Sequence, residues 1–98
     1  MRTPEAKEKD RIRAYLKAIG AFRVSPVTMG WGQQTIDEFA CIDGIFWGIE
    51  VKQPGKEPTK RQFWTLNQIK AAGGMTTWGH ADRVILDIEK WRKQRTVK

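Results

Sequence analysis

Apolar residues recur at helical spacing at Ile12, Tyr15, Leu16 and Ile19, forming one stripe on an amphipathic helix. Thr3-Pro4 supplies an N-cap and a first helical residue for it, and Gly20 a stop. The period then changes. Residues Ala21 to Val27 read as a first or edge strand halted near Pro26, and the glycine-rich stretch Thr28 to Gln34 reads as a loop. Two apolar runs, Ile36 to Ile42 and Ile45 to Val51, flank Asp43-Gly44, which predicts a hairpin closed by a two-residue type I′ turn because both central residues need positive φ. Thr59-Lys60-Arg61-Gln62 has the form of a capping box and opens a helix over 60–72 that Gly73-Gly74 ends. Met75 to Trp78 suits a short strand. Ala81 to Gln94 suits a final helix, although Val84-Ile85-Leu86 would also suit a strand.

The hairpin fixes a register with chemical content. If Ile42 faces Ile45, Cys41 faces Phe46, Phe39 faces Gly48, and Asp37 comes directly across from Glu50. Like charges so placed repel, so a positive group is expected between them. With a side-chain period of two, Lys52 leaves the strand on the same face as Glu50, whereas Ile45, Trp47, Ile49 and Val51 point the other way. Two carboxylates converging beside a lysine make a site for a hard, oxygen-seeking cation such as Mg²⁺ or Mn²⁺.

Charge alters the picture further. The chain of 98 residues has a formal net charge of +7, which suits a polyanionic partner. Its distribution is uneven: residues 1 to 23 carry seven Lys/Arg against three acids, residues 52 to 98 carry eleven against four, and between Val24 and Val51 stand four acids with no Lys or Arg. An acidic centre between basic flanks suits metal-dependent cleavage of a phosphodiester, with cations on the backbone and carboxylates on the metal. The length predicts one domain over 1–98. No apolar run approaches the ~20 residues of a membrane span, the charged start is no secretory signal, and the lone Cys41 reads as a small core hydrophobe. A cytoplasmic protein without membrane contact is expected.

Asp37, a spacer containing a hairpin, and Glu50-Val51-Lys52 together resemble the active-site pattern of the PD-(D/E)XK nuclease superfamily. The longer string from Gly44 to Gly55, followed by Pro58-Thr59, Gln62 and Ala72-Gly73-Gly74, is similar to the small stand-alone VRR-NUC domains of phage and bacterial genomes. The similarity runs from Thr3-Pro4-Glu5 to the Gly-Gly pair. Ile36 departs from it, since the family usually has proline before this aspartate. The resemblance implies an α/β, restriction-endonuclease-like core: a central mixed sheet flanked by helices in the order αβββαβα.

It also implies roles. Asp37 and Glu50 would bind one or two Mg²⁺ or Mn²⁺ ions with the Val51 carbonyl, and Lys52 would orient a water or stabilise the transition state. Gln62 would belong to the active-site region, a role that competes with its place in the capping box. Glu5 and Glu8 both project close to the apolar stripe of the first helix, where either acid could simply favour the helix dipole; the resemblance favours Glu5 as a supplementary acid. Lys56, Lys60 and Arg61 are the candidate phosphate contacts, and Trp31 either stacks on a base or packs back on the sheet. The lone His80 has no partner at metal-ligand spacing. The expected activity is metal-dependent endonucleolytic cleavage of DNA that is selective for structure, of the kind that resolves four-way (Holliday) junctions. A homodimer on branched DNA is expected, with Phe22 and Trp91 as candidate shared aromatics. Flap or duplex cleavage and a non-catalytic DNA-binding module are the alternatives.

Overall fold

The computed structural model describes residues 2–26 and 36–96. Its elements follow in the order α1 (Pro4–Ala18), β1 (Phe22–Val24), β2 (Glu38–Ile42), β3 (Ile45–Val51), α2 (Lys60–Ala71), β4 (Met75–Gly79) and α3 (Ala81–Thr96). The strands form one mixed sheet in the order β1-β2-β3-β4. β1, β2 and β3 are antiparallel neighbours, whereas β4 runs parallel to β3, because α2 carries the chain back across the sheet between them. This is the αβββαβα arrangement expected of a restriction-endonuclease-like core.

Local signals act as their chemistry requires. The Thr3 hydroxyl accepts from the Ala6 N–H at the start of α1. Asp43 and Gly44 both hold positive φ, 50° and 84°, as a type I′ turn demands, and the predicted hairpin register from Ile42↔Ile45 through Phe39↔Gly48 is present. The first strand is shorter than the pattern suggested, three residues in place of seven. It is an edge strand whose residues are all exposed, and Ser25 just beyond it turns its hydroxyl to the Glu38 carboxylate instead of continuing the ladder.

One face of the sheet carries the core. Ile12 and Leu16 of α1 meet Ala40 and Ile42 of β2, Trp47, Ile49 and Val51 of β3, and Ala81, Val84 and Ile88 of α3. Trp91 closes this layer edge-on against Trp47, at 5.2 Å between ring centroids. The Val84-Ile85-Leu86 run is therefore helical: Val84 faces the core while Leu86 is exposed. On the other face α2 packs over β3 and β4. Ile69 lies so close to Gly48 that a Cβ there would come within 2.6 Å of its Cδ1, so a glycine is required for the helix to sit down.

α2 leaves the β1–β2 half of that face open. Cys41 is consequently exposed and is not the core residue its strand position suggested. It lies between its cross-strand partners Phe22 and Phe46.

Candidate active site

Glu50 is the penultimate residue of β3 and is 1% exposed. Alternation turns it away from the Ile49 and Val51 face, toward α2, beside its β4 partner Trp78. Trp78 in turn meets the Phe63 ring edge-on at 5.7 Å. Both Glu50 carboxylate oxygens are buried without a hydrogen-bond partner among the described residues. Burial pushes the carboxyl up to about 8; the neighbouring Asp37 adds to this, and the Lys52 ammonium opposes it.

Asp37 lies beside Glu50 in a different manner from that expected. The β2–β3 ladder ends at Glu38↔Ile49, one pair short of the predicted Asp37–Glu50 pair, and Asp37 sits in a bend. Its Oδ2 accepts the Val51 N–H at 2.9 Å, so the side chain takes the place of a backbone partner and draws its carboxylate to the end of β3. Its Oδ1 faces the Lys9 ammonium at 3.2 Å, and Lys9 also approaches Glu5, at 3.9 Å. The positive group that the two acids demand thus comes from α1 as well as from Lys52. Sequence reasoning missed Lys9. The signal was its i,i+4 spacing from Glu5, which places both on one helix face.

The structure separates the two first-helix acids. Glu5 lies on the Lys9–Asp37 side. Glu8 instead accepts the Ala81 N–H at 2.8 Å, which ties α1 to the first turn of α3. Gln62 forms the capping box: its Oε1 accepts the Thr59 N–H at 2.8 Å while its own N–H donates to the Thr59 hydroxyl. Its carboxamide oxygen is therefore engaged at the helix start rather than at the carboxylates. Lys56, Lys60 and Arg61 are exposed around the loop that leaves β3. Lys56 also lines a cleft of about 440 Å³ with Gln53, Trp78, His80 and Arg83, where the Arg83 guanidinium lies 3.8 Å from the centre of the Trp78 ring. Trp31 lies outside the described residues.

The donor set fits a hard cation. Glu50 offers two buried oxygens with nothing bound to them, and Asp37 stands beside it with one oxygen already held in place by the backbone. No third acid, His or Cys completes a cluster with them among the described residues. A pair of carboxylates suits an ion such as Mg²⁺, which keeps several of its waters. A soft or borderline ion would want sulfur or imidazole, and neither is present at the site.

The sequence matches no protein-family model and no curated protein. A solved structure described as a VRR_NUC domain does match: the two superpose with a TM-score of 0.76 at 20% identity, over 90% of this chain and 97% of that one. No helix among the described residues is long and apolar enough to cross a membrane. By that superposition the chain has the fold of a VRR_NUC domain.

Proposed function

We propose that this protein is a divalent-metal-dependent endonuclease that hydrolyses DNA phosphodiester bonds, acting as a two-fold homodimer on branched DNA, with a four-way junction as the preferred substrate. The observation that carries the chemistry is the buried, unpartnered carboxylate of Glu50 beside Asp37 and Lys52. A fold does not bury a carboxylate without donors for stability's sake.

Asp37, Glu50 and the Val51 carbonyl would hold Mg²⁺ or Mn²⁺. The ion, when bound, would lower the pKa of a water and neutralise charge gathering on the phosphate oxygens. Lys52 presents three donors on a flexible stem, next to Glu50 at the exit of β3, and orients the attacking water or stabilises the added negative charge. The Val51 N–H fixes Asp37 through its Oδ2. Lys9 pairs with its Oδ1, an oxygen it would share with or yield to a bound cation. Glu5, one turn before Lys9, would add a water-mediated contact to the ion. Lys56, Lys60 and Arg61 bind phosphates without reading bases.

The open half of the sheet supports the homodimer. Phe22, 73% exposed, shares one face with Val24, Cys41 and Phe46, and this face continues into an apolar cleft of about 580 Å³ between Phe39, Phe46 and α2. Such a patch suits an isologous contact between two copies. Trp91, the other candidate, is instead occupied in packing on Trp47.

The test is cleavage of labelled duplex, flap and four-way junction with Mg²⁺, Mn²⁺ or chelator, beside sedimentation equilibrium of wild type and Phe22→Glu. Junction cleavage that requires the metal is expected, as is a dimer that Phe22→Glu dissociates. Glu50→Gln and Lys52→Ala should each abolish cleavage. Metal-independent cutting, or activity retained in Glu50→Gln, would overturn the assignment; a wild-type monomer that cuts flaps and spares junctions would overturn the substrate and the dimer alone.

A further inference from the structure

We infer that one face of α1 is a track for the sugar-phosphate backbone of the DNA strand, leading from the carboxylate pair to a phosphate site between α1 and β1. The inference rests on the nuclease reading for the identity of its ligand, and on a separate set of residues for its geometry. Lys9, Arg13 and Lys17 follow one another at four-residue spacing. Their direction is fixed by contacts: Lys9 reaches Asp37 at 3.2 Å, and Arg13 Nε reaches Glu38, the residue next along, at 2.5 Å. Lys17, one turn further, lines a cleft of about 400 Å³ with Arg13, Ala14, Gly20, Ala21 and Arg23. From Lys9 to Lys17 the helix rises about 12 Å, long enough to follow more than one phosphate of a single strand.

The cleft is built from below. Glu38 is 0% exposed, yet it accepts from Arg13 Nε, from Arg23 Nη1 at 3.2 Å and from the Ser25 hydroxyl; Ser25 Oγ also lies 3.1 Å from each of the two arginines. A buried ion pair adds little net stability over apolar packing, so position is what this network secures. It fixes two guanidiniums at the rim, where their side chains remain 33% and 36% exposed. With Lys17 the rim holds three cations over one carboxylate. That excess positive charge, set in forked donors, fits the oxygens of a phosphodiester. A strand whose scissile phosphate sat at Asp37 and Glu50 would run along this face toward the cleft.

Two exposed residues test the track without touching the Glu38 network. Ala14→Glu puts a carboxylate in the cleft, and Lys17→Ala removes a rim cation that is not bound to Glu38. Lys7→Ala is the control: Lys7 is exposed on the same helix but turned about 200° from Lys9. Fluorescence anisotropy with a labelled four-way junction and a plain duplex, in chelator, gives affinity against salt; thermal melting confirms the fold of each variant. Lys17→Ala should lower the slope of log affinity against log salt by about 0.9, Ala14→Glu by at least as much, and Lys7→Ala not at all. Unchanged slopes in both folded cleft variants overturn the track, and if wild type still cleaves with Mg²⁺ the nuclease reading survives that failure. Reduced slopes in a protein that never cleaves leave the track standing and remove the nuclease. A wild-type protein that does not bind DNA overturns both.

Discussion

Replacing Glu50 by glutamine should stabilise the metal-free protein at alkaline pH and do nothing of the kind at acid pH. The folded carboxyl holds its proton up to about 8, against the ordinary value of 4.5, chiefly because burial disfavours its charge. In the unfolded chain the proton leaves near the ordinary value. Below pH 4.5 both states are protonated and the contribution of the group to stability is fully present. Between the two values the folded state binds the extra proton, so stability falls with rising pH by up to about 1.4 kcal/mol per pH unit. Over that window the ceiling is on the order of 5 kcal/mol. Glutamine cannot ionise, but its amide remains in the same partnerless pocket, at a pH-independent cost of about 1–3 kcal/mol.

The two stability curves should therefore cross. At pH 5 the variant is equal to or weaker than wild type; at pH 8 it is stronger by about 1–3 kcal/mol, which in a domain of this size moves the melting temperature by roughly 5–20 °C. Thermal or urea melts of both proteins in chelator from pH 5 to 9 read this directly, and their difference cancels the titrating groups that do not interact with Glu50, leaving Glu50 with its neighbours Asp37 and Lys52. Adding Mg²⁺ at pH 8 should raise the wild-type curve, since an ion that binds only the folded state stabilises it by mass action, and should leave the variant unmoved. Parallel curves without metal would show that Glu50 is not held neutral by its pocket, and the reasoning from its bare oxygens would fail.

Lys9→Ala should tighten metal binding about threefold to fivefold, because it removes a cation already paired with Asp37 in a partly buried setting worth about 1 kcal/mol; isothermal titration with Mn²⁺ measures it, and weaker binding would mean that Lys9 helps to build the site instead of competing for it. Neutralising Lys56, Lys60 and Arg61 together should weaken DNA binding for all sequences alike and reduce the salt slope by about 0.9 for each phosphate that is no longer neutralised; an unchanged slope in anisotropy titrations would place the footprint elsewhere. Glu38→Gln should destabilise the fold by several kcal/mol, as removal of one partner from a buried ion pair does, which a urea melt at pH 7 would register; wild-type stability would mean that the two arginines do not depend on the carboxylate.

The elements were legible because each carried its own local chemistry. Thr3-Pro4, Asp43-Gly44, and Thr59 with Gln62 are short-range signals whose meaning does not depend on the rest of the chain, and all three close the structures they predict. The register followed from the turn, and with it the placing of Glu50 near Asp37. Less was legible where a side chain chooses among distant partners. Asp37 left the ladder to take the Val51 N–H, and Lys9 came to Asp37 from a helix 28 residues away, a pairing that periodicity could not foresee. Cys41 was misplaced for a related reason: alternation tells which face of a sheet a residue is on, but not whether a helix covers that part of the face. Gln62 carried two meanings in the sequence, and the geometry gives its carboxamide oxygen to the helix cap.

Glu38 and Glu50 show why burial alone does not identify a site. Both are glutamates on adjacent strands, both almost wholly removed from solvent, and by simple composition they are indistinguishable. Their surroundings are opposite. Glu38 accepts from two arginines and a serine, so its charge is matched where it lies. Glu50 accepts from nothing among the described residues, and Lys52 only partly offsets what burial and Asp37 impose on it. A carboxylate of the first kind holds structure together, here by fixing cations at the surface. One of the second kind works against the fold until something positive arrives from outside. Among the described residues the protein tolerates that cost at one glutamate, at the end of the strand where Asp37, Lys9 and Lys52 also converge, and on the reading proposed above this is where a metal ion would gain most by binding.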